Sequence, residues 1–261
     1  KSNEFEQIRA NKNIVLKYFD SAFMSGTPTV ASLSKGLNDE QAEFLLEVLD
    51  PLNKNGLGRN TAVCYRNYIS VALMLYCGLR PGELLSLRVE DITIGAISSV
   101  NVVRRPLDPK DKRKPRPSIK RNGRVIPLDE RHMVTCLDQY IVSSREILEQ
   151  HSKTETDYLI LSDEGAPLSQ SSLVQFFQIL RNKFSGKLPN NLTAKSLRHR
   201  FSSQLEKELR RAGYEEHRRR EALAYMRGDS SLNSQDTYIA QEIQEMASAS
   251  LKHYQRKILE K

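Results

Sequence analysis

The sequence lacks long apolar runs and paired cysteines. No stretch of 18 apolar residues occurs, which argues against a membrane-spanning helix, and residues 1–9 lack the apolar core of a secretion signal. The three cysteines, Cys64, Cys77 and Cys136, contain no Cys-x-x-Cys pair, and their number is odd. We therefore expect a cytoplasmic protein with reduced thiols and no metal site.

Positive charge exceeds negative charge along the chain. Forty Lys and Arg residues against 32 Asp and Glu give a formal net charge of +8, which favours a polyanionic partner. The excess is concentrated in residues 104–124, called here the basic segment. The residues predicted to contact DNA are Arg104, Arg105, Lys112, Arg113, Lys114, Arg116, Arg121 and Arg124. The alternative is a solvated basic surface.

The apolar pattern predicts a mainly α fold with a small antiparallel β-sheet or hairpin. Apolar residues three and four apart predict a long helix over 65–76, which should end at Gly78. Alternation over 92–102 predicts strands, and Asn122-Gly123 predicts a tight hairpin joining 119–121 to 124–126. The remainder reads as helical. We expect residues 1–34 to be a linker or the end of an upstream DNA-binding (core-binding) domain, residues 35–261 to be the main domain, and residues 239–261 to be its C-terminal helix.

Three segments carry residues suited to phosphodiester chemistry. The first is Gly78-Leu79-Arg80-Pro81-Gly82-Glu83, the second is Lys195-Ser196-Leu197-Arg198-His199, and the third runs from Gly228-Asp229 to Tyr238. Cleavage of a DNA backbone needs a nucleophile, cations for the charge that grows on phosphate oxygens, and an acid for the leaving oxygen. Arginine suits the second task because its planar fork binds two phosphate oxygens and stays charged.

These segments, in this order, resemble the active-site motifs of the tyrosine site-specific recombinase (phage-integrase) family. The resemblance covers about residues 37–261 and implies that residues 35–261 form a catalytic domain. It assigns Arg80 and Arg198 as the catalytic arginines and Tyr238 as the nucleophile. Lys195 stands where the family usually has His, and Asp229 where it has His or Trp, so both are also expected to be catalytic. Glu83 and His199 are expected to support them.

The same resemblance implies a lysine on a β-turn that acts as the general acid. Lys120 is the best match, and Lys114 is the reserve candidate. A lysine at this place that only contacts backbone phosphate is an equally open interpretation.

The implied reaction forms a 3′-phosphotyrosyl intermediate and conserves energy in that bond, so no cofactor is expected. The expected partners are double-stranded DNA and, on two DNA sites, three further copies of the chain. The C-terminal helix would dock on a neighbouring copy through Met246, Leu251, Tyr254 and Ile258, or else pack in its own domain. The expected location is the cytoplasm, on the nucleoid if the source is prokaryotic.

Two departures leave other functions open. Lys195 also fits a telomere resolvase, which uses the same cleavage chemistry but rejoins strands as hairpins. Asp229 fits a DNA-binding relative that has lost catalysis, because a carboxylate facing a phosphate is unfavourable unless it is protonated or turned onto an arginine such as Arg227.

Overall fold

The computed structural model describes residues 36–53, 57–106, 108–119, 123–152, 154–229 and 237–258, with side chains from residue 242 onward in the last range. They belong to a unit that spans residues 35–261. The predicted linker, residues 1–34, lies outside the described residues. Among the described helices, none is both long and apolar enough to pass through a bilayer.

Helix α2 (Thr61–Cys77) is the centre of the domain. Asn60 caps its start by accepting a hydrogen bond from the Val63 backbone N–H at 2.9 Å. Every residue from Ala62 to Cys77 is buried, so the helix is enclosed by other elements. Gly78 ends the helix with a left-handed φ of 63°, as the sequence predicts. The helix α1 (Asp39–Leu49) packs against it.

A three-stranded antiparallel sheet follows the short helix α3 (Pro81–Ser86) and a 3₁₀ turn (Val89–Asp91). Its strands are β1 (Ile92–Thr93), β2 (Ser98–Val102) and β3 (Arg124–Leu128), in that order. The tight-hairpin prediction needs correction, because β3 pairs with β2, with Val102 opposite Arg124. Residues 103–123 therefore connect β2 to β3, and residues 107 and 120–122 of this connection lie outside the described part.

Helices make up the rest of the domain. They are α4 (Arg131–Gln139), a π-helical turn (Tyr140–Ser144), α5 (Arg145–Glu149), α6 (Gln170–Lys183), α7 (Ala194–Arg211), α8 (Glu216–Met226) and α9 (Thr237–Lys257). Helix α7 packs on α2, α8 and α9, and α9 also packs on β3. The predicted fold class, mainly α with a small antiparallel sheet, is confirmed.

The C-terminal helix α9 packs on its own domain. Its apolar residues Met246, Leu251, Tyr254 and Ile258 are all buried. The Tyr254 hydroxyl donates a hydrogen bond to the Leu75 carbonyl of α2 at 3.0 Å. The prediction that these four side chains dock on a neighbouring subunit does not agree with these contacts, because the chain already covers them itself.

Candidate active site

Arg80 is held at the start of α3 by Glu83. The Arg80 backbone N–H donates to Glu83 Oε2 at 2.9 Å, and Arg80 Nη1 donates to Glu83 Oε1 at 2.9 Å. Pro81 occupies the first helical position, where a missing N–H costs nothing. One carboxylate therefore fixes both the backbone and the guanidinium group of Arg80.

Glu83 is itself held by Arg124. Nη1 and Nη2 of Arg124 donate to the two carboxylate oxygens at 3.0 Å each. The side chains are buried, with 1% exposure for Arg124 and 4% for Glu83. Burial by itself raises the pKa of Glu83, but the hydrogen bonds and charges of Arg124 and Arg80 outweigh it, so the pKa lies below its usual value. The buried Glu83–Arg124 ion pair therefore holds the guanidinium group of Arg80 in a fixed position.

The burial of Arg124 corrects the prediction that it contacts DNA. The residue begins β3, where residues 124, 126 and 128 face the interior and Val125 faces solvent. Its side chain is therefore directed inward, and its guanidinium group is fully engaged by Glu83 and the Met226 carbonyl. The alternation with Ile126 and Leu128 is the sequence signal that could have found this role.

The arginines of the site donate hydrogen bonds to the C-terminal end of α8. Gly228 adopts φ 60°, its N–H donates to the Tyr225 carbonyl at 2.8 Å, and the Asp229 N–H donates to the Ala224 carbonyl at 2.8 Å. These two bonds form a Schellman motif, which leaves the last carbonyls of the helix directed outward. The negative end of the helix dipole lies there and attracts cations.

Arg80 and Arg198 converge on these carbonyls. Arg80 Nη1 and Arg198 Nη2 donate to the same Arg227 carbonyl, at 2.9 and 2.8 Å. Arg198 Nη1 also donates to the Gly78 carbonyl at 2.7 Å. Burial, and then the neighbouring charge of Arg80, lower the pKa of Arg198 to about 10. The two guanidinium groups thus lie together as predicted, although they are 118 positions apart in the chain.

Asp229 lies between the two guanidinium groups. Its Oδ1 is 3.3 Å from Arg198 Nη2 and forms an ion pair with Arg80 Nη2, and its Oδ2 is 2.9 Å from Arg227 Nε. Of the two arrangements left open by the sequence, protonation or a turn onto an arginine such as Arg227, the structure shows Asp229 paired with arginines that include Arg227. We call Arg80, Arg124, Arg198 and Arg227, with Glu83 and Asp229, the arginine cluster. It holds four cations and two anions, so a positive excess remains for a further anion.

Lys195 and His199 lie one turn apart on α7. Lys195 is exposed in the first turn of the helix, three residues before Arg198, and therefore on the same face. Partial burial, and then the charges of Lys195, Arg227 and Arg198, lower the pKa of His199. These neighbours disfavour the charged form of His199, and Lys195 and Arg198 are the lysine and arginine on this face of α7.

The predicted nucleophile and general acid fall largely outside the described part. Tyr238 lies in the first turn of α9 by its backbone, and its side chain is outside the described residues. Lys120 and Arg121 also lie outside them. Their roles stay predictions, and so do those of Arg80, Arg198, Lys195 and Asp229.

Some cations of the basic segment are exposed to solvent, whereas others form ion pairs within the domain. Arg104, Lys112, Lys114 and Arg116 are exposed and available to a polyanion. Arg105 pairs with Asp91 and Glu90.

Arg113 has a different role from the one predicted. Its side chain is 8% exposed, pairs with Asp111, and donates to the Leu85 and Leu168 carbonyls at 2.8 and 3.0 Å. It therefore anchors the segment to the domain, and the prediction that it contacts DNA does not agree with this burial.

Residues 35–238 match the model of the phage integrase family. No curated protein matches the chain.

Solved structures of site-specific recombinases share the fold. The structure of XerH site-specific recombinase bound to palindromic difH substrate, a post-cleavage complex, aligns with a TM-score of 0.54 and 21% identity over 90% of this chain and 54% of that one. The Tn1549 transposon integrase with circular intermediate DNA aligns with a TM-score of 0.54 and 19% identity over 82% of this chain and 67% of that one. The chain thus spans about half of the XerH chain. At these identities the likeness concerns the fold alone.

Because the family model covers most of the sequence, the chain belongs to the phage integrase family. Its described fold is that of a tyrosine recombinase catalytic domain.

Proposed function

We propose that this chain cuts and rejoins DNA strands through a covalent 3′-phosphotyrosyl intermediate formed by Tyr238. The observation that supports it best is the convergence of Arg80 and Arg198 on one carboxylate oxygen of Asp229. A carboxylate oxygen held between two guanidinium groups occupies the place that a non-bridging phosphate oxygen would take.

The proposed reaction is a direct displacement at phosphorus. The Tyr238 oxygen attacks the scissile phosphate, the bond to the 5′ oxygen breaks, and Lys120 gives that oxygen a proton, with Lys114 as the reserve. Arg80 and Arg198 bind the non-bridging oxygens, and Lys195 adds a third cation beside them. Attack by a 5′ hydroxyl on the phosphotyrosine then restores Tyr238 and seals the strand.

Entry of the phosphate requires Asp229 to leave the space between the two arginines. Asp229 is partly exposed and already pairs with Arg227, so it keeps one partner when it turns outward. Glu83 and Arg124 stay in place and keep Arg80 oriented. The site thus exchanges an internal anion for the substrate anion without leaving the arginines unpaired.

The proposed partners are double-stranded DNA and further copies of the chain, assembled as a homotetramer on two duplexes. DNA-bound recombinases among the similar structures support the first of these partners. Exposed cations of the basic segment, such as Lys112 and Arg116, would contact the phosphate backbone. Copies would meet through surfaces other than the buried face of α9.

The experiment uses a library of nicked duplexes with a randomised central segment. A short fragment released by cleavage diffuses away, so the covalent intermediate accumulates and survives denaturing electrophoresis. We expect an adduct whose DNA-bearing peptide contains Tyr238, lost in Tyr238→Phe and kept in the control Tyr214→Phe. An adduct that persists in Tyr238→Phe would show that the nucleophile is another residue.

A DNA-binding relative without catalysis is the second candidate, and the position of Asp229 favours it. In that case the library is bound, but no variant and no wild-type sample forms an adduct. Where an adduct forms, the products separate strand exchange from the hairpin ends that a telomere resolvase would leave.

A further inference from the structure

Three side chains from different parts of the domain meet away from the arginine cluster. Asp50 ends α1, whereas His132 and Cys136 lie four residues apart on α4 and therefore on one face of that helix. Their ligand atoms, a carboxylate oxygen, an imidazole nitrogen and a sulfur, all lie within 4.8 Å of one another.

We infer that Asp50, His132 and Cys136 form a binding site for a divalent transition metal of the zinc class. Two of the three distances between ligand atoms are close to those of tetrahedral coordination. His132 Nε2 is 3.0 Å from Asp50 Oδ2 and 3.7 Å from Cys136 Sγ. Bonds of about 2.0 Å to N and O and about 2.3 Å to S place neighbouring ligand atoms roughly 3.3 to 3.6 Å apart. Small shifts of the side chains would complete the geometry.

The carboxylate of Asp50 is oriented for this role. Its Oδ1 accepts a hydrogen bond from the Leu52 backbone N–H at 2.9 Å, which turns Oδ2 towards His132. A second partner that orients a ligand in this way is typical of metal sites. His132 and Asp50 are partly exposed, with side-chain exposures of 31% and 28%, so an ion can reach them from solvent.

A cavity and a buried tyrosine hydroxyl lie beside Asp50 and His132. The cavity has a volume of about 320 Å³ and is lined by Asp50, His132, Tyr68 and the acidic residue Glu47, among others. The Tyr68 side chain is almost fully buried, and its hydroxyl has no hydrogen-bond partner in the described residues. A buried hydroxyl without a partner is unfavourable, and a metal-bound water in this cavity would supply one.

The ligand set selects the metal. Sulfur and imidazole nitrogen favour zinc-like ions, whereas Mg²⁺ and Ca²⁺ favour sets made of oxygen alone. Three protein ligands leave a fourth position for water, and the thiol of Cys136 would release its proton to solvent when the metal–sulfur bond forms. The ion would join the end of α1 to α4 and so stabilise the folded domain.

The test begins with Co²⁺, which reports thiolate coordination by its absorption. We expect the reduced wild-type protein to give a sulfur-to-cobalt charge-transfer band that saturates at one equivalent and disappears when Zn²⁺ is added. Cys136→Ser and His132→Ala should lose the band, while the controls Cys64→Ser and His151→Ala should keep it. A band that survives Cys136→Ser, or no band in the wild type, overturns the inference.

Thermal unfolding gives an independent reading. At a hundredfold excess over its dissociation constant, Zn²⁺ should raise the wild-type Tm by roughly 5–10 °C, and Mg²⁺ should leave it unchanged. Asp50→Asn should reduce the rise, and Cys136→Ser should abolish it. An equal rise in Cys136→Ser would place the binding elsewhere and contradict the assignment. Neither experiment involves DNA or Tyr238, so its outcome is separate from that of the proposed recombinase activity.

Discussion

The arginine cluster contains two carboxylates in different surroundings. Glu83 is 4% exposed and accepts two hydrogen bonds from one buried arginine, whereas Asp229 is 32% exposed and divides its contacts among Arg80, Arg198 and Arg227. Removing a partner from a buried pair leaves an uncompensated charge, but an exposed pair exchanges its partner for water at little cost. The comparison indicates that Glu83 is a permanent support and Asp229 a replaceable occupant.

The largest expected effect comes from removing Glu83. Glu83→Ala leaves the Arg124 guanidinium group buried without its anion, and should lower the free energy of unfolding by about 3–5 kcal/mol. Asp229→Ala should lower it by less than about 1 kcal/mol. Urea denaturation of both variants measures the difference, and equal losses would remove the distinction between support and occupant.

A smaller loss of stability is expected when Gly228, the residue directly before Asp229, is replaced by alanine. In Gly228→Ala a Cβ would lie 2.4 Å from Arg124 Nη1, at a φ of 60° that itself costs a non-glycine residue about 1–3 kcal/mol. Gly213→Ala is the matched control, because Gly213 has φ 82° and no atom near its Cβ position. We expect Gly228→Ala to lose more stability than Gly213→Ala in the same denaturation experiment. Similar losses would mean that Arg124 moves aside freely.

Asp229 should weaken DNA binding by competing for the arginines. Asp229→Asn removes the competing charge, and should tighten binding of a short duplex by roughly threefold to tenfold, a gain of about 0.7–1.4 kcal/mol. The exposed residue Asp138 provides the control, since Asp138→Asn changes the net charge equally. Fluorescence anisotropy at two salt concentrations measures both. Equal gains would indicate a general charge effect and no local competition.

The smallest expected effect is a change in how the free energy of unfolding depends on pH under acidic conditions. The pKa of Glu83 lies below its usual value of 4.5 in the folded protein, so its contribution to stability is present above that value. It is lost as the pH falls from about 4.5 through the folded pKa. In Glu83→Gln, the dependence of unfolding free energy on pH in this range should be weaker by up to about one proton. An unchanged slope would show that other carboxylates carry the acid sensitivity.

The sequence predicted the helices and the convergence of the two arginines, because helical spacing and short motifs are local signals. Gly78 ends α2 where expected, and Arg80 and Arg198 meet. The distant partners of single buried cations were not predictable in the same way. The partner of Arg124 lies 41 residues earlier in the chain, and two of the acceptors of Arg113 lie 28 and 55 residues away. The identity of an arginine or lysine in the sequence does not indicate whether its side chain contacts DNA or pairs with a carboxylate of the protein.

The partner strand of β3 was predicted wrongly, and the surface that covers α9 was left open, for a related reason. Asn122-Gly123 is a strong turn signal, but β2 offers β3 a longer buried partner, with Val100 opposite Ile126. The apolar face of α9 predicts burial without saying which surface covers it. In both cases the apolar pattern predicts which side of the element is buried, but it does not predict which other element packs against that side.

The turn at Gly228 has a mechanical consequence. Asp229 is the last described residue before a connection that reaches Tyr238 nine residues later. While Asp229 pairs with the guanidinium groups, the start of this connection is held at the arginine cluster. Under the proposed mechanism, a phosphate that displaces Asp229 would also free the start of the connection that leads to Tyr238, so substrate binding would be coupled to release of this chain segment.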